Sequence, residues 1–295
     1  MQIERMLIDN LRIIQSAELR LGDGLNLFIG PNGSGKTSLL EAAHLLGYGR
    51  SFRAGMRDVL VRRGAQSVRV FAEVRGASGR QQRLGLERAG SGWRGRINGA
   101  DVDQLSALYR LCPVCCFEPG SHELISGPAD GRRAFLDWGV FHVEQDFLAT
   151  WRRYQRALRQ RNVLLKDSAP DEWFVPWELE MAIAAAEIAH MREKHLQSLR
   201  LYLRDSASAL LPEFSGVRLE YSSGWKHDDP QSTEDIATRF AVERARDRER
   251  GFTRRGPHRA DWGLLFDEVP RREFLSRGQE KLSALSMVLA QLSTL

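Results

Sequence analysis

The stretch Gly30-Pro31-Asn32-Gly33-Ser34-Gly35-Lys36-Thr37 constrains this chain more than any other, because it satisfies the spacing G-x-x-x-x-G-K-[S/T]. Its surroundings agree with the pattern. Gly24 precedes an apolar run over residues 25–29, broken only by Asn26, which reads as a buried central strand, and Leu39, Leu40, Ala43 and Leu46 then recur at helix spacing. The glycines permit a tight turn whose backbone N–H groups face inward, and the following helix adds the positive end of its dipole. In such a nest Lys36 meets the β- and γ-phosphates of a nucleotide, and Thr37 puts its hydroxyl on Mg2+. A phosphate loop by itself does not separate kinase, GTPase, transporter ATPase and DNA-repair ATPase.

The rest of the chain narrows the setting. With 295 residues, 42% hydrophobic and 27% charged, it has the length for one large domain or two ordinary ones, and is neither disordered, collagenous nor a small stapled scaffold. No run of 18 apolar residues occurs, and the start MQIERMLIDN lacks a signal-peptide core, so a cytoplasmic protein with no membrane partner is expected. Cys112, Cys115 and Cys116 sit together in LCPVCCF with no second Cys or His pair to complete a zinc site; they read as ordinary buried thiols.

The first hundred residues read as strands around one short helix. Val68, Val70, Ala72 and Val74 alternate with polar or aromatic neighbours, GASGR follows, and alternation resumes through Leu84 and Leu86, which predicts a hairpin; Asn98-Gly99 predicts a second turn. From about residue 130 long helices take over. Phe147, Trp151, Tyr154 and Leu158 fall on one helix face, and Ile188, Met191, His195, Leu199 and Tyr202 on another; both stripes read as core. Val217, Leu219 and Tyr221 then alternate as in a strand, and TRRGPHRADW reads as loop.

Charge is unevenly spread. Residues 132–166 hold eight basic and three acidic side chains, a net +5, and residues 239–259 repeat that balance, so together they exceed the +5 of the whole chain. Such segregation is a footprint of polyanion binding, and solvated helix faces produce it too. Arg152, Arg153, Arg156, Arg159 and Arg161 lie mostly off the apolar stripe of their helix; of these, Arg152, Arg156 and Arg159 are the candidate contacts to DNA phosphates.

A second motif gives the loop its class. Leu275-Ser276-Arg277-Gly278-Gln279, followed by EKL and a helical period, resembles the LSGGQ signature of ABC-type ATPases, about 240 residues after the phosphate loop. In that class the signature is a second anion site at a helix start, used when a nucleotide lies between two heads. Five stretches, two of them carrying these motifs, IDNLRIIQSAELRL, GLNLFIGPNGSGKTSLLEAAHLLGYGRSFR, SGPADGRRAFLDWGVFHVE, TRRGPHRADW and FLSRGQEKLSALSMVLAQ, together resemble the RecF family of bacterial DNA replication and repair ATPases, related to SMC heads, across essentially the whole chain.

The resemblance implies an α/β, ABC-type P-loop ATPase head with an inserted, mainly helical lobe. It divides the chain into an ATPase lobe over residues 1–112, a helical arm over 113–250, and a return to the ATPase lobe over 251–295. It implies ATP and Mg2+ as cofactors. Gly30, Pro31, Asn32, Gly33, Ser34, Gly35, Lys36 and Thr37 hold ATP in cis, with Thr37 on the metal, and Ser276, Gly278 and Gln279 reach it in trans. It further implies an ATP-dependent homodimer on single- and double-stranded DNA and their junctions, work with RecO and RecR in loading RecA, gap repair, replication-fork maintenance, SOS induction, and a weak DNA-stimulated ATPase. Arg53, in SFR, stands where related heads place an arginine near the phosphates, and equally suits a structural role. Gly120 replaces the family's usual acidic residue after the proline of FEPG, so no metal- or water-sensing residue is assigned there. The family's Walker B strand follows the signature, whereas the only apolar run here that ends in paired acids, LLFDEV at residues 264–269, precedes it. The expectation is therefore a truncated copy or a fragment, with no catalytic carboxylate assigned and ATP turnover left open. The alternatives at this point are a nucleotide-binding copy without turnover and a small-substrate P-loop phosphotransferase.

Overall fold

A computed structural model describes all residues except 54–59, 77, 91, 168, 215, 226–228 and 268–273. The chain forms two compact units, Met1–Cys116 and Phe117–Leu295.

In the first unit β1 (Gln2–Leu11), β2 (Ile14–Arg20), β3 (Ser67–Arg75), β4 (Gln81–Ala89), β5 (Gly92–Ile97) and β6 (Ala100–Asp101) make an antiparallel sheet in the order β2-β1-β3-β4-β5-β6. Alternation explains its faces. Val68, Val70, Ala72 and Val74 of β3, with Leu84 and Leu86 of β4, are buried, while the residues between them turn outward. The expected β3–β4 hairpin forms, and Asn98 and Gly99, at φ 53° and 89°, make the tight turn from β5 to β6. The helices α1 (Lys36–Tyr48) and α2 (Leu105–Arg110) complete this core with Ala42, Leu45, Leu46 and Leu108.

The second unit is mainly helical. It contains α3 (Glu123–Ser126), α4 (Ala129–Val143), α5 (Phe147–Lys166), α6 (Val175–Leu210), α7 (Thr233–Arg250) and α8 (Arg277–Ser293), with a two-stranded sheet of β7 (Val217–Ser222) and β8 (Asp261–Phe266). The stripe Phe147, Tyr154 and Leu158 of α5 is buried against Met181, Ala185, Ile188 and Leu199 of α6. Each large apolar side chain among them taken from water stabilises the unit by roughly 1.5–3 kcal/mol. Tyr202, placed on the apolar stripe by its spacing, is instead 42% exposed. No described helix is long and apolar enough to cross a membrane.

One expectation is overturned. Residues 25–29 are not a buried central strand: they carry no strand assignment, and Leu25, Leu27 and Ile29 are 93%, 74% and 86% exposed. A strand exists only beside a hydrogen-bonding neighbour, and no described strand pairs with this run. Residues 251–295 fall within the unit Phe117–Leu295. β8 pairs with β7 in register from Val217–Phe266 to Ser222–Asp261, and Ala284, Met287 and Ala290 of α8 belong to the helical core.

Candidate nucleotide site and basic surface

The phosphate loop ends where α1 begins. Gly35 caps the helix at φ 99°, ψ 1°, and no side chain among the described residues caps its first turn. Gly33 is also left-handed, at φ 82°. A Cβ at residue 35 would lie 3.3 Å from Ile14 Cγ1, so both backbone angle and space favour glycine there. The Lys36 ammonium curls over the loop and donates to the Gly30 and Pro31 carbonyls at 2.7 and 2.8 Å. Pro31, Asn32, Gly33, Ser34 and Thr37 are exposed. A ring of open amides, one lysine and the exposed hydroxyls of Ser34 and Thr37 fits a triphosphate with its metal.

Behind the loop, Glu41 of α1 is fully buried. Arg12 donates to it from Nε at 3.1 Å and from Nη2 at 2.7 Å; Ser51 Oγ donates to it as well, and Arg53 stands 4.0 Å away. Burial would raise its pKa, but the hydrogen bonds from Arg12 and Ser51 and the charges of Arg12 and Arg53 outweigh that and hold the carboxyl below its usual range. Sequence reasoning missed Glu41, whose place in an apolar helix face gives only the signal of a charge in the wrong position. Cys112 and Cys115 are thiols pushed up to about 12 by burial, and no cluster of His, Cys, Asp or Glu suited to a metal occurs among the described residues.

The signature opens α8. Ser276 is its N-cap, and its Oγ accepts from Gln279 N at 3.3 Å while Gln279 Oε1 accepts from Ser276 N at 2.9 Å, a complete capping box. Gln279 Nε2 also donates to Glu213 at 3.4 Å. Ser276, Arg277 and Gly278 are exposed.

Arg152, Arg156 and Arg159 are exposed on α5, as their spacing predicts. Arg161 is not with them. It is fully buried and donates to Glu178, Asp247, Thr253 Oγ1 and the Phe240 carbonyl at 2.7–3.0 Å. Arg244 shares Glu178 at 2.6 Å, Arg254 shares Asp247 at 3.3 Å, and Arg132 pairs with Asp261 at 2.7 Å. Much of the two basic segments is thus internal cement; removing one partner of a buried pair typically costs about 3–5 kcal/mol. The reason is burial: carboxylates distant in the sequence meet these guanidiniums inside the helical unit.

TRRGPHRADW, expected as a loop, is irregular only over residues 253–260, with a 3-10 turn at Pro257–Arg259; Asp261 and Trp262 already belong to β8, and its centre, Gly256 and Pro257, is buried. Gly256 sits at φ 121°, where a Cβ would come within 2.6 Å of Tyr154 Oη, and Arg192 Nη1 donates to Pro257 O at 2.9 Å. His258 Nε2 donates to Thr253 O at 3.0 Å, so its Nδ1 accepts from Tyr154 Oη at 2.7 Å. Burial lowers its pKa to about 4, leaving the ring neutral at pH 7.

Comparison with known proteins supplies the frame for these sites. Residues 2–294 match the RecF/RecN/SMC N-terminal domain family. The DNA replication and repair protein RecF of Stenotrophomonas maltophilia (strain R551-3) is 46% identical over 296 residues, which cover 99% of this chain and 80% of that protein. RecF of Thioalkalivibrio sulfidiphilus (strain HL-EbGR7) is 39% identical over 292 residues, covering 99% and 79%. The ATP-bound recombination mediator protein RecF of the RecFOR pathway superposes with a TM-score of 0.88 at 25% identity, covering 99% of this chain and 80% of that one. The Smc head domain of Pyrococcus furiosus, with an extended coiled coil and bound to the C-terminal domain of ScpA, reaches 0.50 at 13% identity over 99% of this chain and 79% of its own, a likeness of fold alone. The α/β architecture is that of the ABC-type ATPase head.

Proposed function

Because this chain belongs to the RecF family of RecF/RecN/SMC N-terminal domains, we propose that it serves DNA replication and repair as an ATP-dependent DNA-binding protein. In this reading it acts in the cytoplasm at gaps and single-strand/double-strand junctions, beside RecO and RecR in the loading of RecA. Residues 30–37 of one copy hold ATP, with Lys36 on the phosphates and Thr37 on Mg2+. Ser276, Gly278 and Gln279 of a second copy approach the same phosphates. ATP supplies negative charge to the start of α1, whose first turn has none, and adds to Glu280 in the first turn of α8, so nucleotide and self-association stabilise one another. Exposed arginines hold DNA through its phosphates, without regard to sequence.

The single observation that carries the reading is the amino end of α1: left-handed glycines, no side-chain cap and one lysine folded over the loop. The phosphotransferase alternative leaves the exposed start of α8 without a role. The test is sedimentation velocity with and without ATP and Mg2+, on the parent and on Ser276→Arg. The parent should associate only with nucleotide, and the variant should bind ATP as a monomer yet fail to associate, since a bulky cation occupies the facing site. Normal ATP-dependent association of the variant overturns the trans assignment.

A further inference from the structure

Once the internal ion pairs are set aside, the remaining cations of the two basic segments fall into one region. The side chains of Arg156, Arg159, Lys166, Arg250, Arg255 and Arg259 make no ion pair or hydrogen bond among the described residues. The first three lie along one stripe of α5, at helix spacings of three and seven. Arg250 ends α7, and Arg255 and Arg259 follow in the next turn. The groups adjoin: Thr253 N donates to Asn162 Oδ1 at 2.8 Å, and a Cβ at Gly251 would lie 3.7 Å from Lys166 Cγ.

Within this surface stands one aromatic ring. Phe252 is 41% exposed, with the Arg259 guanidinium carbon 5.2 Å from its centroid. Arg250, Phe252, Arg254 and Arg259 line a shallow recess of about 370 Å³, in which Arg254 is already neutralised by Glu243 and Asp247. A half-exposed phenyl ring among guanidiniums suits unpaired bases: each offers a π face to an aromatic ring while its phosphates meet cations, whereas the bases of a duplex are stacked on one another and not available.

We propose that Phe252, with Arg250, Arg255 and Arg259, is a contact site for single-stranded DNA, a base stacking on the phenyl ring and the flanking phosphates lying on the arginines. This rests on the DNA-binding reading above and adds to it a strand preference and a location. The stripe of Arg156, Arg159 and Lys166 continues the phosphate path along α5.

The experiment titrates the full chain with a labelled oligo(dT) and with a duplex of equal length at several salt concentrations, for the parent, Phe252→Ala, Phe252→Leu and the pair Arg250→Gln with Arg259→Gln. Both phenylalanine variants should lose at least about fivefold affinity for oligo(dT) and little for duplex, with the salt slope kept. The paired arginine variant should reduce the slope of log K against log salt by about 0.7 for each phosphate that is no longer neutralised. Thermal unfolding at the parent's midpoint shows that the variants are folded, and the leucine variant preserves apolar packing if the alanine variant does not. Unchanged oligo(dT) binding in Phe252→Leu, or equal losses for both DNAs, overturns the stacking site while the DNA-binding reading stands. A parent that binds neither DNA overturns both.

Discussion

The helices α1 and α8 both start at exposed ends suited to an anion, yet they are built in opposite ways. At α1 the cap is Gly35, which offers no side chain, and the neighbouring lysine is occupied only with loop carbonyls. At α8 the cap is Ser276, and Gln279 answers it, so two of the orphan groups of the helix end are already satisfied by the motif itself. The first end is incomplete without an acceptor from outside; the second is folded in advance. The hydroxyl of Ser276 uses a lone pair on Gln279 N and keeps its proton, which is what a phosphate oxygen needs. Gln279, engaged on both sides of its amide, positions that hydroxyl and would reach a ligand itself only by leaving the box.

This contrast is easiest to break at α1. Lys36→Ala removes the only full charge of the nest, and the affinity for a fluorescent ATP analogue should fall by about 10- to 100-fold, in line with the 1.5–3 kcal/mol of a charged hydrogen bond. Unchanged affinity would show that α1 is no more open than α8. Gly35→Ala comes next: its left-handed backbone and the 3.3 Å approach of Ile14 should cost about 1–3 kcal/mol of stability in the unit that carries α1, seen as a lower urea midpoint even without nucleotide. A neutral outcome would mean that the loop relaxes freely, and that glycine there is not required by the fold.

The smallest effect sharpens the other side. Ser276→Ala should destabilise the helical unit by about 1 kcal/mol with no ligand present, and Gln279→Ala by less, because an N-cap is worth that much wherever it stands. Measured together as a double-mutant cycle, the two changes should be clearly non-additive, since they cut one reciprocal pair. Additive losses would mean that the box does not hold in solution and that α8 starts as open as α1.

What the sequence by itself determined is whatever acts over a few residues. The Asn98-Gly99 turn, the alternation of β3 and β4, the stripes of α5 and α6 and the glycine pattern of the loop follow from backbone preferences and side-chain period, and all were legible. The capping box was equally legible as Ser276-x-x-Gln279, but its letters coincide with an ATPase signature and the functional reading hid the structural one. Only the tertiary structure decided burial and pairing. Arg159 and Arg161 stand two residues apart on one helix, one in water and the other wholly enclosed, because the partners that make the second place tolerable, Glu178, Asp247 and Thr253, lie 17, 86 and 92 residues away. The same holds in reverse for residues 25–29, whose apolar letters announce a wish for cover but cannot name the strand that would provide it. Segments 251–295 and 217–222 found each other for a like reason: a strand is completed by hydrogen bonds to a neighbour that local chemistry does not specify.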